Sequence, residues 1–180
     1  MKNHIMVSIR MTIVLLIVVS GIYPLAVWAV GQVAFKKQAD GSLVVRNGKV
    51  IGSEIIGQNF TSDRFFHPRP SAAGKDGYDP TASGGTNYGA TSKKLRDSIA
   101  AAVGNRRNVP ADEVTTSASG VDPDISPANA YDQVARVAKA NHMSDDAVRA
   151  LVDRHIEGRF LGIYGEPRVN VLALNLELQK

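Results

Sequence analysis

The 180-residue chain has no cysteine, which excludes disulfides and thiolate metal sites. No acidic residue precedes residue 36: all 17 Asp and Glu, with 19 of the 21 Lys and Arg, lie from residue 36 onward, leaving that part close to charge balance at about +2. No basic stripe with interleaved aromatics runs along it, so nucleic acid is excluded as a partner. His4, His67, His142 and His155 lack metal-ligand spacing to one another, and no metal site is expected. Ser71, Ser83 and Ser119 lie outside any G-x-S-x-G or S-x-x-K pattern, so serine hydrolase chemistry has little support. No internal repeat is present.

What the chain does have is a run of 25 residues, Met11 to Phe35, without a charged side chain. As a helix it would reach about 37 Å, against a hydrocarbon core of roughly 30 Å. The rival reading is a cleaved signal, with Lys2 and Arg10 in front and Val27-Trp28-Ala29 as the cleavage site. The run is longer than the roughly 7–15 residues of a signal core, and it continues past Ala29 through Val30, Val33 and Phe35. Tyr23 and Trp28 suit membrane interfaces, and Gly21 and Pro24 are tolerated in membrane helices. The expected organisation is a tail (1–10), a transmembrane helix (11–35) and one soluble α+β domain (36–180). Lys2 and Arg10 on one side, against Lys36, Lys37, Arg46 and Lys49 on the other, leave the orientation open.

Local signals sketch the soluble part. Asn47-Gly48 between apolar runs predicts a type I′ hairpin over 43–51. Residues 67–92 are rich in Gly, Pro, Ser and Thr and read as a long loop. Thr91 is expected to cap a helix over 92–103, with Leu95, Ile99 and Val103 inward and Gly104 as its stop. A short strand is expected at Glu113–Thr116. Ser126-Pro127 opens a helix to about Ala140, with Ala130, Val134, Val137 and Ala138 inward. Ser144 caps a third helix, with Asp145 and Asp146 at its positive end and Val148, Leu151, Val152 and Ile156 on the core face. Val169–Leu178 alternates and predicts a half-buried strand. The expected fold is therefore about three helices packed on a small sheet.

Gly84-Gly85-Thr86-Asn87-Tyr88-Gly89-Ala90-Thr91 resembles G-x-x-x-x-G-K-[ST], but Ala90 replaces the phosphate-contacting Lys, so a stand-alone NTPase site fails. A Gly-rich turn entering a helix N-terminus remains, with a tight turn as the plainer reading. RFFHPRP, with Arg64, His67 and Arg69 around Phe65 and Phe66, suits an anion or a partner, or else packs its rings. Asp122 and Asp124 sit in Asp-Pro turn context. Gln133 beside Arg136 reads first as a solvated helix face.

Six blocks in order carry a resemblance: GSEIIGQNF (52–60), FHPRPSA (66–72), ASGGTN (82–87), TTSASGVDPDISP (115–127), QVARVA (133–138) and GEPRVNVLALN (165–175). With a single N-terminal membrane helix in front, the chain resembles the C subunit of the Kdp potassium-transporting ATPase over nearly its whole length. Thr86-Asn87 stands where the family usually reads Ser-Asn, and Asp124 where it usually has His, which argues against an imidazole role there. The resemblance implies a subunit without an active site, needed for assembly of a high-affinity potassium pump. It also implies a catalytic chaperone that raises the ATP affinity of the P-type ATPase subunit. Its implied partners are that ATPase subunit, a channel-like potassium-binding subunit and the lipid bilayer, with a small membrane peptide as a further candidate.

Under this resemblance Ser83, Gly84, Gly85, Thr86, Asn87, Gln133 and Arg136 are candidate nucleotide or partner contacts. Arg69, Ser71, Ser119, Asp122 and Asn170 are candidate partner or structural loop residues. No catalytic residue and no cofactor of the chain's own is expected, only ATP shared with the ATPase subunit. The expected location is the bacterial inner membrane, with the soluble domain outside, where it would affect ATP affinity only by biasing the conformation of the assembly. Ser20, Gly21, Ala26 and Ala29 are small enough for close helix approach, so the span is expected to dock on the channel-like subunit. The alternative is a membrane-anchored extracytoplasmic hydrolase or binding module, with Ser119 as the candidate nucleophile.

Overall fold

The computed structural model describes residues 2–179 and divides into two compact units, Met1–Leu43 and Val44–Lys180.

In the first unit, α1 (Lys2–Ile17), a wider π segment (Val18–Ile22) and α2 (Tyr23–Ala34) run on as one helix. The 32 residues from Asn3 to Ala34 are long and apolar enough to cross a membrane. The π segment has a local cause. Pro24 has no N–H to give the Ser20 carbonyl, and just before it the Tyr23 N–H reaches back five residues to the Val18 carbonyl. A short turn, α3 (Lys36–Ala39), follows; there Asp40 accepts from Lys36 at 2.7 Å.

The predicted hairpin follows, β1 (Leu43–Arg46) and β2 (Lys49–Ser53), and all of it but Leu43 belongs to the second unit. Asn47 and Gly48 take the positive φ angles of +53° and +74° that a type I′ turn demands. Arg46 ties the hairpin to the chain end through the side chain of Gln179 at 3.0 Å. Residues 54–92 form almost no regular structure, only one 3₁₀ turn at Pro80–Ala82. After them come α4 (Lys93–Val103), α5 (Ala111–Val114), β3 (Asp124–Ile125), α6 (Pro127–Asp132), α7 (Val134–Asn141), α8 (Asp145–Arg154), β4 (Ile156–Glu157), β5 (Arg168–Asn170) and α9 (Val171–Glu177). The fold is α+β.

Four local expectations are corrected. Ser92, not Thr91, caps α4, accepting from the Leu95 N–H, while Gly104 ends it as predicted. Glu113–Thr116 is not a strand, since Ala111–Val114 is a helical turn. The helix expected over 127–140 is broken at Gln133 into α6 and α7. Val169–Leu178 is a strand only to Asn170 and then a helix. Asn170 makes that switch, because its side chain accepts from the Ala173 N–H at 3.0 Å and caps α9. Val171, Leu174 and Leu178 also stand at helical spacing, and Leu and Ala are good helix formers, so the helix wins over the alternation.

The core lies between α6, α7, α8 and α9 and the small antiparallel sheet β3-β5-β4. Val169 on the central strand pairs with both Ile125 and Ile156. It is buried with Phe66, Val134, Val137, Val148, Val152 and Leu174. The Leu95, Ile99 and Val103 face of α4 is only half-buried and stands outside this core.

Candidate functional site

Three irregular stretches converge: 69–73, 83–86 and 116–122. Their backbones lack a sheet ladder, so serine side chains and carbonyls pair across them. Ser71 Oγ donates to the Gly120 carbonyl at 2.5 Å and accepts from the Tyr78 and Ala73 N–H groups. Ser83 Oγ and the Gly84 N–H both donate to the Ser119 carbonyl, each at 2.8 Å. Thr86 and Thr116 hydroxyls approach to 3.4 Å, and Ser117 and Ser119 hydroxyls to 3.1 Å. Tyr78 donates to the Arg69 carbonyl, and burial pushes its phenol up to about 12. Gly85 has no room for a side chain, because a Cβ would lie 2.9 Å from the Ala118 carbonyl oxygen. Its glycine thus serves close backbone approach. The Gly84 N–H is already bonded within the chain and α4 starts only at Lys93, which is in keeping with the plainer reading of a tight turn.

A second arrangement holds residues 63–67. Asn175, from α9, accepts from the Phe66 N–H at 2.7 Å and donates to the Phe66 carbonyl at 2.9 Å. Gln133 does the same to His67, at 2.7 and 3.0 Å. Each carboxamide stands in for a neighbouring strand. Gln133 also donates to Asn129 and accepts from Arg136, so its four hydrogen-bonding positions are filled from within the chain. Arg136 donates in addition to the Asp63 and Phe65 carbonyls, and Asn141 to that of Arg64. Asp112 anchors the α6 end, accepting from Asn129 and from the Ser126 N–H and hydroxyl. Burial lowers the basicity of His67, and the neighbouring Arg136 charge adds to it. Burial likewise lowers that of Arg136. The RFFHPRP cluster therefore packs its rings: Phe66 is in the core and Phe65 meets Phe60 edge-on at 5.7 Å.

Two adjoining clefts, of about 560 and 500 Å³, share Asp124 and Arg168. Arg168 pairs with Asp124 at 3.1 Å and with Glu157 at 2.9 Å, and Arg69 pairs with Asp122 at 3.1 Å. Burial raises the Asp124 carboxyl, against the lowering influence of Arg168 and Asn170. Asn170 donates to Asp124 at 3.2 Å and to the Glu54 carbonyl at 2.8 Å. No group of three or more metal-ligating side chains stands close enough to hold an ion among the described residues.

Residues 5–180 match the family model for KdpC, described as K+-transporting ATPase, c chain. The potassium-transporting ATPase KdpC subunit of Allorhizobium ampelinum is 52% identical over 184 residues, covering 99% of this chain and 96% of its own. That of Koribacter versatilis is 50% identical, covering 99% and 95%. That of Caldanaerobacter subterraneus is 45% identical, also covering 99% and 95%.

The chain belongs to the KdpC family.

In this KdpC-family chain the expected contact residues separate. Arg69, Ser71, Ser83, Gly84, Gly85, Thr86, Ser119 and Asp122 meet at the three-loop junction. Gln133 and Arg136 bond the 63–67 stretch instead. Asn170 belongs to the cleft and the α9 cap, and Asn87 is exposed with a positive φ of +53°. Ser20, Gly21, Ala26 and Ala29 lie on the apolar helix, where a Cβ on Gly21 would meet nothing within 4 Å. Sequence reasoning missed Asn129, Asn175, Asp112 and Arg168. The one available signal was Asn175 at an otherwise apolar helical stripe, an amide where a hydrophobe belongs.

Proposed function

We propose that this chain is the accessory, non-hydrolysing C subunit of an ATP-driven, high-affinity potassium uptake complex. It acts by contact with a channel-like subunit and a P-type ATPase subunit. The observation that carries this reading is the family match across almost the entire chain, anchor and domain together. The geometry is in keeping with it: the polar side chains singled out as contacts bond mainly to the chain's own backbone. The chain supports assembly, and it raises ATP affinity by favouring one conformation of the complex rather than by holding the nucleotide. Filling of all four positions on Gln133 supports that choice over direct contact. The apolar helix is a single membrane pass that docks on the channel-like subunit through Gly21 and its small neighbours, with the domain outside the cell membrane.

A tagged chain drawn from gently solubilised membranes is expected to bring two larger membrane proteins with it; purification of the chain alone would end this reading. For the orientation, a C-terminal alkaline phosphatase fusion is expected to be active in cells, and an inactive fusion at normal expression would reverse the placement.

A further inference from the structure

Outside the membrane helix, the most exposed cluster of large hydrophobic side chains is at residues 160–164. Phe160, Leu161, Ile163 and Tyr164 are 71%, 74%, 72% and 66% exposed. They stand at the tip of a small finger between β4 and β5. Its backbone is closed on itself: Phe160 and Tyr164 exchange N–H to carbonyl bonds at 2.9 and 3.0 Å. Leu161 and Gly162 take positive φ angles of +52° and +74° to turn the tip. The neck is neutralised by Arg159–Glu166 at 2.8 Å and Arg168–Glu157 at 2.9 Å.

We infer that this finger enters the interfacial layer of the bilayer that the chain's own helix spans, on whichever side the domain lies.

Three observations select lipid as the occupant. The first is continuity with the membrane anchor. Nine residues, 35–43, separate Ala34 from Val44, four of them in α3. That tether reaches at most about 23 Å. A tether this short keeps Val44 within that distance of the membrane surface, so the unit it carries works beside the bilayer. The second is area. The four side chains expose on the order of 500 Å² of apolar surface, below the roughly 800 Å² per partner of a stable protein interface. Attached to an anchor, the same area is ample for interfacial binding, because the second contact is intramolecular. The third is form. All four side chains stand out at the tip, an aromatic with a hydroxyl among them, and the interfacial layer still offers water to the backbone groups of the turn.

The test uses the full chain in phosphatidylcholine vesicles, and the lack of native cysteine makes single-site labelling clean. Ile163→Cys and Tyr164→Cys each carry an environment-sensitive NBD probe, with exposed Lys94→Cys as the reference. Nitroxide lipids labelled near the headgroup are expected to quench both finger probes at least about twofold more than the reference, and aqueous iodide at least about twofold less. Equal quenching at the finger and reference sites overturns the inference. So does shielding that develops only when the other transporter subunits are added, which would assign the finger to a protein partner. Because the chain is tested alone, failure of the subunit reading in a co-purification leaves this result standing, and the reverse also holds.

Discussion

Asn175→Ala is expected to be among the most damaging single changes in the second unit. Asn175 is 1% exposed, and its carboxamide completes the Phe66 backbone on both sides, at 2.7 and 2.9 Å. Alanine leaves one buried N–H and one buried carbonyl without partners, each at about 1–3 kcal/mol, or about 4 kcal/mol together. Against a total stability of roughly 5–15 kcal/mol this is a large fraction, equivalent to about 12 °C in midpoint. Phe66 sits in the core, so the loss is felt by packing as well as by one loop. The assay is thermal unfolding of the full chain in detergent by near-UV circular dichroism, since Trp28 lies on the apolar helix and reports elsewhere. Hydrogen exchange across 64–69 should rise in the same variant. Asn175→Asp sharpens the test. A buried carboxylate there accepts from the Phe66 N–H but faces the Phe66 carbonyl with a lone pair, so its folded pKa is raised above the unfolded value of about 3.9. The folded state then holds the extra proton, and stability is greatest in acid and falls as pH rises through the folded pKa. Asn175→Ala has no such dependence. A loss below about 0.5 kcal/mol for alanine, or the same pH profile for both variants, would refute the clamp.

Gly120→Ala should cost far more than Gly104→Ala. Both have positive φ, +69° and +56°, but a Cβ on Gly120 would lie 2.6 Å from Ala73 Cβ and 2.7 Å from the Gly84 oxygen, whereas Gly104 faces open space. The expected losses are about 3 and 1 kcal/mol, read as midpoint shifts in the same assay, and equal shifts would deny the tight approach of the three loops. His67, its pKa lowered below 6.5 by burial and Arg136, makes the protein less stable on acidification. The unfolded chain takes up a proton as pH falls through about 6.5 while the folded one resists, so stability drops from there down to the folded pKa. His67→Gln should flatten that part of the pH–stability curve, and an unchanged slope would count against it.

How much of this was legible in the sequence follows the range of the interaction. The Asn47-Gly48 turn and the Ser126 and Ser144 caps depend on neighbours a few residues away and stand where the sequence predicts them, while the long apolar helix runs over Asn3–Ala34 and so starts ahead of Met11. The inward set Val134, Val137, Ala138, Val148, Leu151 and Val152 obeys helical period and is buried as expected, whereas Ile156, expected on the same helix face, lies past the end of α8 in β4 and is half-buried. The alternation after Val169 misled because one string satisfied two periods, and a single side chain, Asn170, chose between them. The candidate site was partly legible. Ser83 was placed with the candidate nucleotide or partner contacts and Ser71 and Ser119 with the loop residues, yet all three lie at one junction. Gln133 read as a solvated face because its partner, His67, lies 66 positions away, and Asn175 is 109 positions from Phe66. No local pattern encodes such pairs.

These long-range amides and serines also change where function should be sought. The sheets are very small, so most backbone between residues 54 and 92 has no ladder to join. Buried backbone groups must still be paired, and side chains do it. Polar residue types that suggest a reactive centre are thereby committed to holding loops in place. A subunit that works by contact gains from this, because a loop fixed by side chains from α7, α9 and the α6–α7 junction presents a defined surface at little ordering cost on binding. Two classes of variant then separate. Clamp changes such as Asn175→Ala should weaken assembly only as far as they unfold the domain. Changes at the exposed finger, where Ile163 packs on nothing in the core, should alter membrane contact at unchanged stability. Measuring both quantities on both variants distinguishes a stiff platform with a separate membrane contact from a domain whose loops bind directly, for which the clamp variant would lose assembly before it lost its fold.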